Sequence, residues 1–282
     1  MITLAQFWAT VIALALIVYI VLDGFDLGVG MLLGLARDES RRQTVLKTIE
    51  PVWDGNETWL IVLGATLYAA FPMAYAIYMP ALYVGIVMLL LALILRGVGI
   101  EFRYRSVANR RWWDRAIVAG SFTAGFVQGV AMGAITQGIH VENGQFVGGS
   151  FDWLSVFSVM CGIAAVVSYL VHGMAWLILK TEGVTRERAY RHLPFVFAGW
   201  VLFLAVLFWW VLIGHVDLRE RWAEPSGLWV LPVLGVLACV GLFVGVRRRI
   251  DRLPFAMTTL MFLVVAGKFM LSIRPYIVPW TV

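Results

Sequence analysis

Between Thr58 and Leu95 the chain runs for 38 residues without a single Asp, Glu, Lys, Arg or His. As one helix, at about 1.5 Å per residue, that stretch would be roughly 57 Å long, almost twice the ~30 Å hydrocarbon core of a bilayer. A chain of this kind must cross, turn and cross back. Pro72 and Pro80 flank the expected turn, because each removes a backbone donor. The spacing predicts helices over Pro51–Phe71 and Met79–Phe102.

Uncharged stretches of comparable length recur along the 282 residues. A first helix is expected from about Phe7 through Asp23 and Asp26 to Leu35. Further spans are expected over Ala116–Gln137, Trp153–Leu179, Leu193–Gly214, Leu228–Val246 and Leu253–Ser272, eight in all. With 61% hydrophobic and 14% charged residues, the composition excludes a soluble globular or disordered chain. Two cysteines, Cys161 and Cys239, exclude a disulfide scaffold. Met1–Leu22 has no basic residue ahead of its apolar stretch and no clear small-residue cleavage site, so it reads as a retained helix. The expected fold is an all-α polytopic membrane protein, one integral domain over residues 1–282, arranged as two four-helix bundles over residues 1–137 and 153–274.

Topology follows from the positive charges, since cytoplasmic loops are enriched in Lys and Arg. One set of connections carries 17 of them: Arg37 to Lys47, Arg103 to Arg115, Lys180 to Arg191, and Arg247 to Arg252. The opposite set carries only Arg219, Arg221 and Arg274. The first set is therefore expected on the cytoplasmic side and the N-terminus outside. Basic residues clustered between apolar runs do not make a nucleic-acid groove, and no nucleic-acid partner is expected. Trp8, Trp112, Trp113, Trp153, Trp222 and Trp229 lie near predicted membrane faces and read as an interfacial belt.

Ionisable groups at membrane depth cost about 2.5–3.5 kcal/mol each on insertion scales and are usually paired or functional. Asp23 and Asp26 fall near the inner end of helix one, on one helical face. Asp54 and Glu57 occupy the first turns of helix two, which starts at that same side, and helix three descends to Arg96 and Glu101. Five carboxylates thus share a layer with Arg96 and the interfacial Arg103. They cannot all be neutralised by cations, so at least one is expected to hold a proton. Arg96 and Glu101 stand about 140° apart around their helix, which turns Arg96 toward carboxylates of neighbouring helices. An ionic clamp joining helices one to three and a site for proton uptake both satisfy this pattern. Asp54 also suits the N-terminal dipole of helix two. Glycines at 24, 28 and 30 allow close helix contact.

Histidines are few. His140 and His215 are expected in outer loops, His192 in an inner one, and His172 alone lies well inside a span, where a helix-packing hydrogen bond is the ordinary role. No metal site is expected.

These segments resemble subunit II of the cytochrome bd-type quinol oxidases. The resemblance rests on Gly24-Phe25-Asp26-Leu27-Gly28-Val29-Gly30, on Pro51-Val52-Trp53-Asp54-Gly55-Asn56-Glu57-Thr58-Trp59-Leu60, on Phe71-Pro72 with Tyr75, and on Leu95-Arg96-Gly97-Val98-Gly99-Ile100-Glu101-Phe102-Arg103. The motifs stand in the family's order and spacing over the first 105 residues. Later helices match in pattern and in Arg274-Pro275-Tyr276-Ile277-Val278-Pro279. The motifs do not separate the family's cyanide-insensitive branch.

The resemblance implies a subunit of a terminal oxidase that takes electrons from membrane quinol and reduces oxygen to water. Its partner, subunit I, would carry two b haems, one d haem and the quinol loop, and this chain would bind no haem. Small accessory membrane subunits, and a quinone held here as a structural element, also fit the resemblance. Residues matching Asp26 and Asp54 would be candidates for a cytoplasmic proton path; with Asp23, Glu57, Arg96 and Glu101 they make up the expected proton pathway or buried charge cluster, and Gly24, Gly28, Trp53, Gly55 and Asn56 are motif or packing positions. The family continues through a ninth helix, which the resemblance places beyond Val282. Judged on the residues alone, a secondary transporter or channel using the acidic cluster is the competing expectation.

Overall fold

The computed structural model describes residues 3–106, 108–214, 230–273 and 278, without the side chains of residues 211, 212 and 271–273. Ten helices account for nearly all of it. They are α1 (Leu4–Leu32, prolonged by a 3-10 turn over Leu33–Leu35), α2 (Glu39–Lys47), α3 (Trp53–Ala70), α4 (Pro72–Ala81), α5 (Tyr83–Arg105), α6 (Arg110–Gln137), α7 (Val156–Lys180), α8 (Gly183–Gly214), α9 (Val230–Arg247) and α10 (Arg252–Ile273). Seven, namely α1 and α5–α10, are long and apolar enough to cross a membrane. The protein is an all-α polytopic membrane protein. α3 occupies the place of the remaining span expected from the sequence, but Asp54, Asn56 and Glu57 crowd polar groups into its first turns.

Several boundaries differ from expectation, each for a local reason. The turn expected around Pro72 and Pro80 is itself the helix α4: Pro72 occupies its first turn, where no amide partner is needed, and Pro80 falls at its end. α6 begins at Arg110 rather than near Ala116, because ion pairs hold its charged first turns against α2 and α5. α8 begins at Gly183 rather than near Leu193 and continues through Pro194, so the basic residues Arg186, Arg188 and Arg191 lie on helix, not loop. The connection after α6 forms a small hairpin, Val141–Glu142 paired with Gln145–Phe146, closed by Asn143 and Gly144 at φ 51° and 76°. Asn-Gly supplies the two left-handed residues such a turn requires.

The interior is organised around the C-terminal half of α1. Every residue from Asp23 to Leu33 is buried, while the N-terminal half of the helix is mostly exposed or half-buried. α1 contacts α3, α6, α7 and α10. Among lipid tails there is little hydrophobic gain in bringing helices together, so close backbone packing has to hold them. A Cβ on Gly28 would stand 1.9 Å from the Tyr169 carbonyl oxygen, and one on Gly173 would stand 2.6 Å from the Gly28 carbonyl carbon, so α1 and α7 cross backbone to backbone. Gly24 is filled by the Tyr169 ring, at 2.8 Å from such a Cβ. Gly55 meets nothing within 4 Å, so its small size serves no contact inside this chain.

Of the tryptophans expected at membrane faces, Trp112 is exposed, and Trp8 and Trp113 are partly so. Trp153 is a correction. It is 4% exposed, packs against Gly85 of α5 and donates from Nε1 to the Ser150 carbonyl at 3.0 Å. The residue lies ahead of α7, where the loop folds back under the bundle instead of facing lipid. Trp222, Trp229, His215, Arg219, Arg221 and the Arg274–Ile277 part of the terminal motif lie outside the described residues.

Gly28→Val is expected to drive α1 and α7 apart, at a cost of about 1–3 kcal/mol or more from overpacking. The protein should lose its monodisperse peak and melt lower in detergent, whereas Gly64→Ala, which meets nothing within 4 Å, should leave both unchanged.

Candidate functional site

Arg96, on α5, is completely buried and is gripped by two other helices. Its Nη1 lies 2.7 Å from Asp23 Oδ1 on α1, and its Nη2 donates to Glu57 Oε2 on α3 at 2.6 Å. Asp23 is as buried as Arg96, while the Glu57 side chain keeps 24% of its surface. The expectation that Arg96 turns toward neighbouring helices and away from Glu101 is met by this geometry. Asp26, one turn further along α1, is also fully buried and accepts a hydrogen bond from Asn56 Nδ2 at 2.7 Å. Asn56 stands next to Glu57 on α3, so one turn of that helix reaches Asp26 directly and shares Arg96 with Asp23. Trp53 completes the seam, its ring 3.1 Å from where a Gly97 Cβ would lie.

The other two carboxylates are not in this cluster. Asp54 and Glu101 are exposed on the outer surface of α3 and α5. For Glu101 the helical period explains it, since five residues beyond Arg96 is about 140° around α5; Asp54 is within about 60° of Glu57 on α3, and the packing of α3 against its neighbours leaves it outside. Arg103 is a second correction. It is buried, but its Nε donates to Asp114 at 2.5 Å and its Nη2 to Glu39 at 3.0 and 3.1 Å, so it serves a separate network. Arg110 adds a contact to Glu39 at 3.3 Å. This second knot ties α2, α5 and α6 together at the basic end of the bundle.

Four residues, Gln128, Tyr19, Tyr169 and Glu50, escaped the sequence reading. Gln128 of α6 donates to the Tyr19 hydroxyl and accepts from the Tyr169 hydroxyl, both at 2.7 Å. Tyr19 is one turn before Asp23 on α1, so the polar interior extends beyond the charges. An amide in the middle of the span Arg110–Gln137 was the available signal, but nothing in sequence pairs it with two tyrosines. Glu50 is the fourth, exposed and bonded by the Tyr104 hydroxyl at 2.9 Å. Glu50, Asp54 and Glu57 follow at steps of four and three residues along one side of the chain, the first two exposed and the last half-buried against Arg96.

The described histidines stand apart from the Arg96 cluster. His140 and His192 are exposed. His172 is buried with both ring nitrogens engaged, Nδ1 with Thr258 Oγ1 at 2.7 Å and Nε2 with the Val21 carbonyl at 3.1 Å, and its ring stacks on Phe255. It is a strut between α1, α7 and α10. Among the described residues, no group of three or more His, Cys, Asp or Glu is arranged to hold a metal ion.

Helices sealed around a buried arginine and its carboxylates define an integral membrane protein with a charged core. The family model for cytochrome bd terminal oxidase subunit II matches residues 4–282, and the chain belongs to that family. It is 36% identical over 191 residues to the probable cytochrome oxidase subunit 2 of Haemophilus influenzae, covering 64% of this chain and 50% of that one. It is 36% identical over 185 residues to the cytochrome bd-I ubiquinol oxidase subunit 2 of Escherichia coli, covering 62% and 48%. The chain thus spans about half the length of these two relatives. A fuller match is the cytochrome bd ubiquinol oxidase subunit 2 of Bacillus subtilis, 31% identical over 281 residues, or 98% of this chain and 82% of the relative. In fold it is similar to a chain of the bd oxidase structure from Geobacillus thermodenitrificans, with TM-score 0.80 and 17% identity, covering 96% of this chain and 85% of that one. Nothing in these similarities supports a transporter.

Removing one member of a buried ion pair leaves the other unpaired, at a typical cost of about 3–5 kcal/mol. Arg96→Leu should therefore abolish or sharply reduce recovery of folded protein. Adding Asp23→Asn to that variant should restore part of the yield, measured by size-exclusion chromatography and thermal melting.

Proposed function

We propose that this chain is the non-haem subunit of a quinol:oxygen oxidoreductase. In this reading it supports a haem-bearing subunit I, which carries two b haems and one d haem, and contributes a proton path from the cytoplasm for reduction of oxygen to water. Residues 1–137 and 153–274 are its two helical halves, the N-terminus lies outside, and the basic connections lie inside a bacterial cytoplasmic membrane. The support is membership of the subunit II family, together with relatives named as subunits of ubiquinol oxidases. The engaged ring nitrogens of His172 favour placing the haems in the partner.

One observation carries the proton path: Arg96 is a single cation facing Asp23 and Glu57, with Asp26 a turn away on a neutral amide. One guanidinium balances one negative charge, and an uncompensated carboxylate inside a membrane is costly, so a proton must complete the balance. The exposed acids Glu50, in the turn ahead of α3, and Asp54, in its first turn, lead from the basic end of the bundle to Glu57 and this cluster. They give protons a series of carboxylates at a helix surface that a partner subunit can cover. The same residues clamp α1, α3 and α5, and both roles operate together. The identity of the quinol is set by the partner in this reading.

The complex that copurifies with this chain is expected to show b and d haem bands in a reduced-minus-oxidised spectrum and to consume oxygen when supplied with quinol. A haem-free complex with its native partners and no oxygen uptake would reject the oxidase reading. Within the oxidase, Asp26→Asn and Asp54→Asn are expected to keep haem content while lowering quinol-driven turnover about tenfold or more, the scale of losing a positioned proton carrier. Full turnover and proton uptake in both variants would reject the path, and loss of haem would leave only the clamp.

A further inference from the structure

Four membrane-helix termini meet at one corner of the molecule. α7 ends at Lys180, α8 begins at Gly183, α9 ends at Arg247 and α10 begins at Arg252. Two short connections therefore sit where the apolar spans give way to water. Residues 180–192 and 247–252 carry eight Lys or Arg against three acids.

The three acids are spoken for. Asp251 accepts from Arg186 Nη1 at 2.8 Å and from the Tyr190 hydroxyl at 2.6 Å. Glu187 receives both terminal nitrogens of Arg249, at 2.5 and 2.9 Å, and Glu182 reaches Arg186 at 4.0 Å. These bonds fasten the first turns of α8 to the tight α9–α10 turn, where Arg249 takes a left-handed φ of 53° and lies over the Tyr190 ring, 5.3 Å from its centroid. The fastening leaves a cleft of about 280 Å³ lined by Glu187, Tyr190, Arg191, Val246 and Arg249. Arg191 makes no ion pair among the described residues. Phe195, one turn along the same face of α8, is 74% exposed.

We propose that this cleft binds the phosphodiester headgroup of an anionic membrane lipid. Arg191 supplies an unpaired guanidinium, whose planar fork matches two phosphate oxygens. Arg249 is already fixed by Glu187 and lends its remaining field. The Glu187 carboxylate on the cleft wall favours a singly charged diester over dianionic inorganic phosphate. Val246 and Phe195 offer the adjoining apolar surface along which an acyl chain lies, and basic pockets between helices at this depth are a recurring anionic-lipid site. The inference stands independently of the proton path.

The test uses the whole delipidated complex in detergent, with phosphatidylglycerol, phosphatidylcholine and inorganic phosphate as separate probes, read by native mass spectrometry. Phosphatidylglycerol should be retained above phosphatidylcholine, and Arg191→Gln should lower that retention about fivefold, the scale of one basic residue at a membrane surface. Arg105→Gln, on another connection, should leave it unchanged. Equal retention of the two lipids, or no effect of Arg191→Gln, would overturn the site. Displacement of phosphatidylglycerol by millimolar inorganic phosphate would assign the cleft to a soluble anion and overturn the lipid.

Discussion

A guanidinium at membrane depth has to find its counter-charges within the protein, and Arg96 finds them on two other helices. That requirement fixes where α1, α3 and α5 meet, because Asp23 and Glu57 must both come within about 3 Å of the same side chain. Once they do, neighbouring choices follow. Asn56 faces Asp26, Trp53 fills the space left by Gly97, and α1 is drawn so far into the bundle that its backbone touches α7 at Gly28 and Gly173. The Arg103–Asp114–Glu39 knot repeats the arrangement nearer the membrane face, where it holds the short helix α2 beneath α5 and α6.

These two knots differ in surplus. Around Arg103 the acids Asp114 and Glu39 meet the cations Arg103, Arg110 and, at 3.6 Å, Arg42, so positive charge is in excess. Around Arg96 the excess is negative. A stability device alone would be served by matched charges or by apolar residues of similar volume. An acidic excess beside a row of exposed carboxylates is instead what a group that exchanges protons requires, and it is the physical reason for reading the Arg96 cluster as functional.

The junction of α7, α8, α9 and α10 shows how the same economy works at the helix ends. There the charges lie in water, and the ion pairs of Glu187 and Asp251 serve to set the geometry of the α8–α9–α10 junction rather than to offset burial. Of the remaining cations, Lys180 and Arg247 lie over the Trp176 and Phe243 rings, while Arg191 makes no ion pair among the described residues.

Helical class and most of the spans were legible in the sequence, seven of the eight expected being long and apolar enough to cross, because charge-free length is a local property. So was the direction of Arg96, since a five-residue separation from Glu101 is an angle about a known helix. The motif around Pro72 and Pro80 was misread as a turn because proline at a first helical turn and proline at a helix end look alike in sequence. Only the tertiary structure decided which carboxylates reach Arg96. Asp54 and Glu57 differ by one turn in sequence but by inside and outside in space, and which face of α3 meets α1 depends on packing between helices 30 residues apart. The Gln128 bridge between Tyr19 and Tyr169, and the burial of Trp153, were settled in the same way, by which helix faces which. A one-dimensional pattern gives each residue a depth and an angle, while its partner is fixed only when the backbones close on one another.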